Sequence, residues 1–489
     1  PDGYFNTYFI LKEPGQRFRN LREGHELYTL GHMIEAAVAY KRATGEKRFL
    51  EIVQKMADLV ANTFGVEEGK RMGMPGHQEI ELALMKLYEE TGKESYKELA
   101  KYFIDVRGCG NRNYFLEEMK QKDVKRIFPE LNDYRPEYSQ SHLPVRKQRT
   151  AEGHAVRAVY MYAAMADIAA EYDDEELLGA CETLWNNMVH RRMYVTGGIG
   201  SSGILERFTA DYDLPNDYNY CESCASIGLA FFARRMMQIT KKAKYVEVME
   251  RALYNTVLAG IAMDGKSFFY VNPLEVWPPS CMERTSKEHV KSVRQKWFGV
   301  ACCPANISRT LASLGEYIYA CEKDTIYVNL FIGNETQITV GEQKVHLSLE
   351  TDFPWKNQFK INVSGVKESV QLAVRIPEYA QDYKIFCEGR EQFYKEKDGY
   401  AYITCEKNGR YEVQFVSEPR FVRANPKVRA DEGKVCVMWG PLVYTVEETD
   451  NGENLQALYI DTAKPVKKSE KEEFPMLIAA GKRICESGW

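Results

Sequence analysis

The feature that most constrains this chain is a repeat. Four times in its first 261 residues a pair of helical segments recurs, the first rich in Ala and other apolar residues, the second amphipathic with a charged face. The pairs are HELYTLGHMIEAAVAYKRATG with EKRFLEIVQKMADLVANTFG, GHQEIELALMKLYEETG with KESYKELAKYFIDVRG, EGHAVRAVYMYAAMADIAAEY with DDEELLGACETLWNNMVHRRMY, and CESCASIGLAFFARRMMQIT with KKAKYVEVMERALYNTVLAGI. A helix that is apolar nearly all round must be buried, and one with a single apolar stripe lies outside it. Hairpins of an inner and an outer member, repeated, build a curved or closed α/α array. A further helix after Pro304 makes nine, whereas a ring of six hairpins takes twelve, so the other three are expected before Pro1. Long inserts at about 109–150, 195–220 and 263–301 fall between hairpins. Connections of that length in a compact domain are usually functional.

After about residue 322 the apolar period changes from 3.6 to 2. TIYVNLFI, TQITV, KVHLSLE, FKINVSG, VQLAVRI and YAYITC alternate apolar and polar residues between turn signals, and KVCVMWGPLVYTVEE opens a second β-rich group. The expected fold is an (α/α)6-type helical toroid followed by β-sandwich modules. The expected domains are a helical barrel over 1–321 lacking its first helices, a β-sandwich over 322–420, and a second, incomplete β-rich module over 421–489. The stretch from about 462 carries little pattern.

Composition narrows the partner. Of 489 residues 44% are apolar and 28% charged, as in a globular protein and unlike a disordered tail. Lys+Arg 65 against Asp+Glu 70 leaves a net charge of −5, with no basic face for nucleic acid or a membrane surface. No apolar run approaches the roughly 18 residues of a membrane span. The expected partner is a neutral small molecule or glycan. No targeting segment is readable ahead of Pro1. The twelve cysteines are scattered rather than dense, which favours reduced thiols in the cytoplasm.

Cysteine arithmetic leaves two readings open. At this Cys frequency a random chain holds roughly 0.3 adjacent pairs and roughly 0.3 C-x-x-C matches, so each signal alone is weak. Together, Cys221-x-x-Cys224 and Cys302–Cys303 offer four thiolates for a tetrahedral zinc; the bland alternative is four small buried hydrophobes. Both groups are read as lying just before inner helices, at the same end of the array as His25, His77 and His154. A single histidine opening a helix is more often structural than functional. Three at equivalent places in a repeat point to a shared pocket, where a helix N-terminus disfavours the imidazolium and keeps a neutral donor or acceptor.

The loop YVTGGIGSSGILERF contains Gly198-x-Gly200-x-x-Gly203, a dinucleotide-like spacing without the strand–turn–helix unit and following acid that such a site needs. We reject a nucleotide site. The same loop carries Glu206 near Phe208 and Tyr212, a candidate acid/base if buried and otherwise a surface glutamate.

HELY, GHQE, EGHAVRA, YVTGGIG with a following E-R-F, CESCAS and CCPAN, in this order along the whole chain, resemble glycoside hydrolase family 127 and its relatives. These are bacterial β-L-arabinofuranosidases with a cysteine nucleophile. The most specific parts are C-E-x-C-A-S and the Cys-Cys-Pro pair, about 80 residues apart. The resemblance implies Zn2+ on Glu222, Cys224, Cys302 and Cys303, replacing Cys221 of the spacing argument by Glu222. Residues 222 and 224 point the same way if the chain is extended there. It also implies Cys302 as nucleophile, Glu206 as acid/base, and His25, His77, His154, Tyr270 and Gln78 as sugar-pocket residues. Ser223 stands where Thr is usual and Ala305 where a second Pro is usual; neither is a carried-over side chain.

The implied activity is release of β-linked L-arabinofuranose from plant-derived oligosaccharides by a bacterial, cytoplasmic enzyme that retains configuration. Zinc would hold Cys302 deprotonated, blunting it as nucleophile yet improving it as leaving group. The partners implied are a small carbohydrate and, left open, a second copy of the chain, with no nucleic acid and no membrane. Two other classes stay in view: a sugar epimerase or lyase on the same kind of toroid, and a glycan-binding protein with a structural zinc.

Overall fold

The computed structural model of the chain describes residues 2–469 and 475–485. Its helices are α1 (Glu26–Thr44), α2 (Arg48–Thr63), α3 (Ile80–Thr91), α4 (Glu94–Asp105), α5 (Ala155–Glu171), α6 (Glu175–Arg191), α7 (Ser223–Thr240), α8 (Ala243–Ala252) and α9 (Cys302–Ala312), besides shorter turns. The helices of all four pairs read from the sequence are present. Every residue of α5 from Ala155 to Ala166 is buried, as an inner helix requires. On α4 only the stripe Tyr96, Leu99, Ala100, Phe103 and Ile104 is buried, at the i, i+3, i+4, i+7, i+8 spacing of an outer helix. Glycine lets inner helices approach closely. A Cβ on Gly31 of α1 would lie 2.7 Å from Glu79 at the start of α3, and one on Gly228 of α7 would lie 2.4 Å from Val159 of α5. Among the described residues no helix is long and apolar enough to cross a membrane. None of the twelve cysteines, all among the described residues, forms a disulfide.

Two helix starts differ from the sequence reading. The chain becomes helical at Ser223 and at Cys302, so Cys224, Cys302 and Cys303 lie within first turns rather than before them. Residues 222–224 are therefore not one extended stretch: Glu222 forms an isolated β-bridge with Val271 and Cys224 is already helical. The physical reason at the second start is Pro304. As the third residue of α9 it needs no N–H, because first-turn amides have no intrahelical partner.

The strands are β1 (Tyr319–Glu322), β2 (Thr325–Val328), β3 (Asn334–Val340), β4 (Gln343–Thr351), β5 (Gln358–Ser364), β6 (Val370–Arg375), β7 (Gln381–Cys387), β8 (Arg390–Glu391), β9 (Lys395–Lys397), β10 (Tyr400–Cys405) and β11 (Gly409–Val416). They form a five-stranded sheet, β1-β2-β6-β10-β9, and a six-stranded sheet, β3-β4-β5-β11-β7-β8. Inward residues of both sheets, among them Leu372, Val374 and Ile403 from one and Val345, Leu347 and Val413 from the other, share one apolar core. A separate three-stranded sheet joins Arg420–Val422, Cys436–Trp439 and Leu442–Tyr444. The stretch from about 462, patternless in sequence, contains three very short strands, Lys467–Lys468, Leu477–Ile478 and Gly481–Arg483; residues 470–474 and 486–489 lie outside the described residues.

The chain divides into two compact units. One contains the residues up to Met193, Gly198–Arg235 and Tyr270–Val293; the other contains Tyr194–Gly197, Met236–Phe269 and the chain from Arg294 onward.

Candidate active site

The starts of α1, α3 and α5 bring three histidines together. His25 immediately precedes α1 with φ 53°, and its Nδ1 donates to the Glu23 carbonyl at 2.6 Å. His77 lies ahead of α3, and its Nδ1 donates to the Gln78 carbonyl at 2.7 Å. His154 precedes α5, its amide donating to the Tyr138 carbonyl at 3.1 Å. Ring centroids are 5.8 Å apart for His25 and His77 and 5.4 Å apart for His77 and His154. Burial first, and then the positive charge of Arg157, push His25 down to about 4 and His77 well below its ordinary value. Both rings are thus neutral near pH 7, with Nδ1–H committed to backbone and Nε2 left as an acceptor. Gln78 is fully buried, and its amide donates to Gln140 Oε1 at 2.8 Å and the Ser139 carbonyl at 3.2 Å. Its Oε1 has no hydrogen-bond partner among the described residues.

The glycine-rich loop delivers Glu206 to His154. Ser202 and Arg207 exchange two backbone hydrogen bonds of 3.2 and 3.1 Å, closing a turn in which Leu205 and Glu206 have φ of 58° and 53°. Two successive side-chain-bearing residues in the left-handed region cost about 1–2 kcal/mol each, so the surroundings must hold the turn. The Phe208 amide does so by donating to the Gly153 carbonyl at 2.9 Å, beside His154. Glu206 Oε2 then lies 2.7 Å from His154 Nε2, and Glu206 Oε1 accepts from the Tyr220 hydroxyl at 3.0 Å. Glu206 is the partner of a buried histidine, not a loose surface residue.

Residues 221–223 are zipped to 270–272. The Ser223 amide donates to the Tyr270 carbonyl at 3.0 Å, and the Asn272 side chain donates to the Cys221 carbonyl at 3.0 Å. Tyr270 is buried, its ring centroid 6.2 Å from that of Tyr220. The ligand atoms of Glu222, Cys224, Cys302 and Cys303 lie within 4.8 Å of one another. So do those of His154, Glu206 and Glu222, making Glu222 common to both groups. Cys221 is in neither; it is fully buried, and burial pushes its thiol well above the ordinary range. Tyr220 escapes a reading by sequence motif, although a signal is present. It stands two residues before Glu222, but the chain turns at Cys221 (φ 37°), so the signal is nearness to the motif rather than strand spacing.

Three family models match in order: the GH127 catalytic domain of β-L-arabinofuranosidase over residues 1–316, its middle domain over 325–417, and the GH127 C-terminal domain over 419–478. The chain belongs to the GH127 family. It is 41% identical over 464 residues to a non-reducing end β-L-arabinofuranosidase of Bifidobacterium longum, covering 92% of this chain and 70% of that protein. Among solved structures, a GH127 β-L-arabinofuranosidase from Geobacillus stearothermophilus T6 superposes with a TM-score of 0.94 at 46% identity, over 100% of this chain and 78% of that one. A second GH127 β-arabinofuranosidase does so with a TM-score of 0.86 at 36% identity, over 99% and 76%. The chain thus has the GH127 fold, a helical α/α toroid followed by β-sheet domains, and is a glycosidase of the β-L-arabinofuranosidase class. The epimerase, lyase and purely glycan-binding readings give way to that membership. The Cys/Glu cluster fits a metal ion by its donors: three sulfurs and one carboxylate are a borderline-soft set that suits zinc.

Proposed function

We propose that this GH127 member is an exo-acting, retaining hydrolase that removes terminal β-L-arabinofuranose from plant-derived oligosaccharides, with Cys302 as nucleophile and Glu206 as acid/base. The observation that carries the reading is Glu222, whose carboxylate belongs both to the sulfur-rich ligand group and to the His154–Glu206 group. Glu222, Cys224, Cys302 and Cys303 would hold the zinc. When bound, it keeps the Cys302 thiol ionised near neutral pH, where a free thiol of pKa about 8.5 is mostly protonated. The name of the B. longum relative, a non-reducing end enzyme, supports exo action.

In the first half-reaction the Cys302 sulfur forms a bond to the anomeric carbon as the glycosidic C–O bond breaks, its electron pair leaving on oxygen. Glu206 gives its proton to that oxygen. In the second, Glu206 as carboxylate takes a proton from water, whose oxygen displaces sulfur from the anomeric carbon. Each displacement inverts the anomeric carbon, so two in sequence retain configuration, as in carboxylate-based retaining enzymes. His25 and His77 accept sugar hydroxyls through Nε2, with His154, Tyr270 and Gln78 completing the pocket, and His154 also aims Glu206. In the same reading residues 1–321 are the catalytic domain, followed by modules over 322–420 and 421–489, in a cytoplasmic bacterial enzyme able to pair with a second copy.

The test is release of nitrophenol from 4-nitrophenyl β-L-arabinofuranoside. Turnover with retained configuration, read by NMR of the first-formed sugar, is expected. Folded, zinc-loaded protein that leaves this glycoside intact while cleaving another would overturn the sugar assignment.

A further inference from the structure

We propose that His289, in the insert between Tyr270 and Val293, is a positioning residue for Glu206, acting through both Tyr220 and Gly203. The inference rests on the reading of Glu206 as acid/base. The insert is tied along residues 216–223 by the bonds at Tyr270 and Asn272, by the Glu275 amide donating to the Asn216 carbonyl at 3.0 Å, and by a Lys287–Asp217 ion pair. His289 is thereby laid over the acid loop. Its ring lies 5.6 Å from that of Tyr220 at an interplanar angle of 34°, and its Nε2 donates to the Asn219 carbonyl at 3.3 Å. Tyr220 in turn donates to Glu206 Oε1.

The same ring abuts the base of the turn that carries Glu206. A Cβ on Gly203 would lie 2.9 Å from His289 Cε1 and Nδ1. Gly203 itself has φ −70° and ψ −20°, a conformation open to every residue. Glycine is therefore required there for space rather than for backbone freedom, and the space is occupied by His289. One side chain braces both the hydroxyl that holds the carboxylate and the strained Leu205–Glu206 turn that presents it.

This yields a double-mutant test. Gly203→Ala should displace the His289 ring and lower kcat/KM on an arabinoside with a poor leaving group by about tenfold, since misplacement of a proton donor is costly. On the activated 4-nitrophenyl glycoside, which needs little acid assistance, the loss should stay within about twofold. His289→Ala should give the same split, and the double variant should be no worse than His289→Ala alone. His289→Phe, which keeps a ring, should recover most of the loss, whereas His289→Gln, which keeps a donor for Asn219 but no ring, should not. Melting temperatures of all variants separate misfolding from misplacement. Additive losses in the double variant, or equal losses on both substrates, would overturn the role of His289. Glu206→Ala serves as the control: if it lacks the leaving-group split, the acid/base reading itself fails; if it shows the split and His289→Ala does not, only the present inference fails.

Discussion

Between the two sheets of the sandwich, Val345, Leu347, Ile361, Leu372 and Val413 belong to a core of interlocking apolar side chains. Near the starts of α1, α3 and α5 the interior is of another kind: Arg22, Glu23, Gln78, Glu81, Arg107 and Arg157 are each 2% exposed or less. Burial of polar groups without full compensation costs stability, so a fold that needs only volume and alternation avoids it. The helical unit accepts that cost because its buried polar groups fix others. Arg157 sits 4.5 Å over the Tyr138 ring and Arg107 donates to the Ser139 and Pro75 carbonyls; the Tyr138 carbonyl accepts the His154 amide, and Pro75 lies two residues before His77. What distinguishes the two interiors is aim, and substitutions in each should fail differently.

The largest expected effect tests the helical side. Cys302→Ala should lower turnover of 4-nitrophenyl β-L-arabinofuranoside by at least about 10³-fold, the scale of losing a nucleophile. Its melting temperature in the zinc-free state should stay close to that of the parent, since Cys302 is only half-buried. Glu222→Ala, which like Cys302→Ala removes one of the four proposed ligands, should lose the metal, measured by atomic absorption on the purified protein. Retained activity in Cys302→Ala would remove the nucleophile assignment.

The converse holds at Arg375, where the second unit does bury charge. Arg375 Nη1 donates to Glu247 at 2.7 Å, its Nε donates to the Asn329 carbonyl at 2.7 Å, and Nη2 pairs with Glu250. Tyr379 adds a hydroxyl to Glu250 at 3.0 Å. Arg375→Met would take the cation from the buried Glu250 and the partly buried Glu247, a loss of about 3–5 kcal/mol. Urea denaturation should show it, while kcat/KM per folded molecule stays within about twofold. A fall in catalysis without a fall in stability would erase the contrast between the two interiors.

Smaller, and dependent on pH, is the effect at Glu118. Its carboxylate accepts the Leu21 and Arg22 amides at 2.9 and 3.1 Å, yet burial outweighs these bonds and pushes it up to about 7. The unfolded chain loses this proton near 4.5, so between about pH 4.5 and 7 the folded state holds a proton that the unfolded state has released. Stability must therefore fall as pH rises through that window, by about 1.4 kcal/mol per pH unit, and level off above it. Glu26, also pushed up to about 7 by burial, acts in the same direction, whereas His25 and His77 destabilise only as pH falls below 6.5. Glu118→Gln removes one titration. Its deficit relative to the parent, read as urea midpoints, should shrink between pH 5 and pH 8; a constant deficit would contradict the burial argument.

Cys221 shows what is legible in the sequence and what is not. Helical and strand periods place the hairpins and most sandwich strands, because burial on one face writes itself into spacing. DYKIFC and RYEVQFV, in β7 and β11, alternate as well, but charged neighbours mask their period. The histidines emerge from the repeat, since equivalent helix starts converge. Tyr220 and His289 do not, because what joins them to Glu206 is contact across loops rather than period. Spacing favours Cys221-x-x-Cys224 as a ligand pair, whereas the fold gathers Glu222, not Cys221, into the group able to hold a metal and seals Cys221 away with a raised thiol. Cys221→Ala is therefore the mildest of these changes: a small buried hydrophobe lost, at a cost of roughly 1 kcal/mol or less. Zinc content and kcat/KM should match the parent, and loss of the metal would return the thiol pair to the site in place of the glutamate.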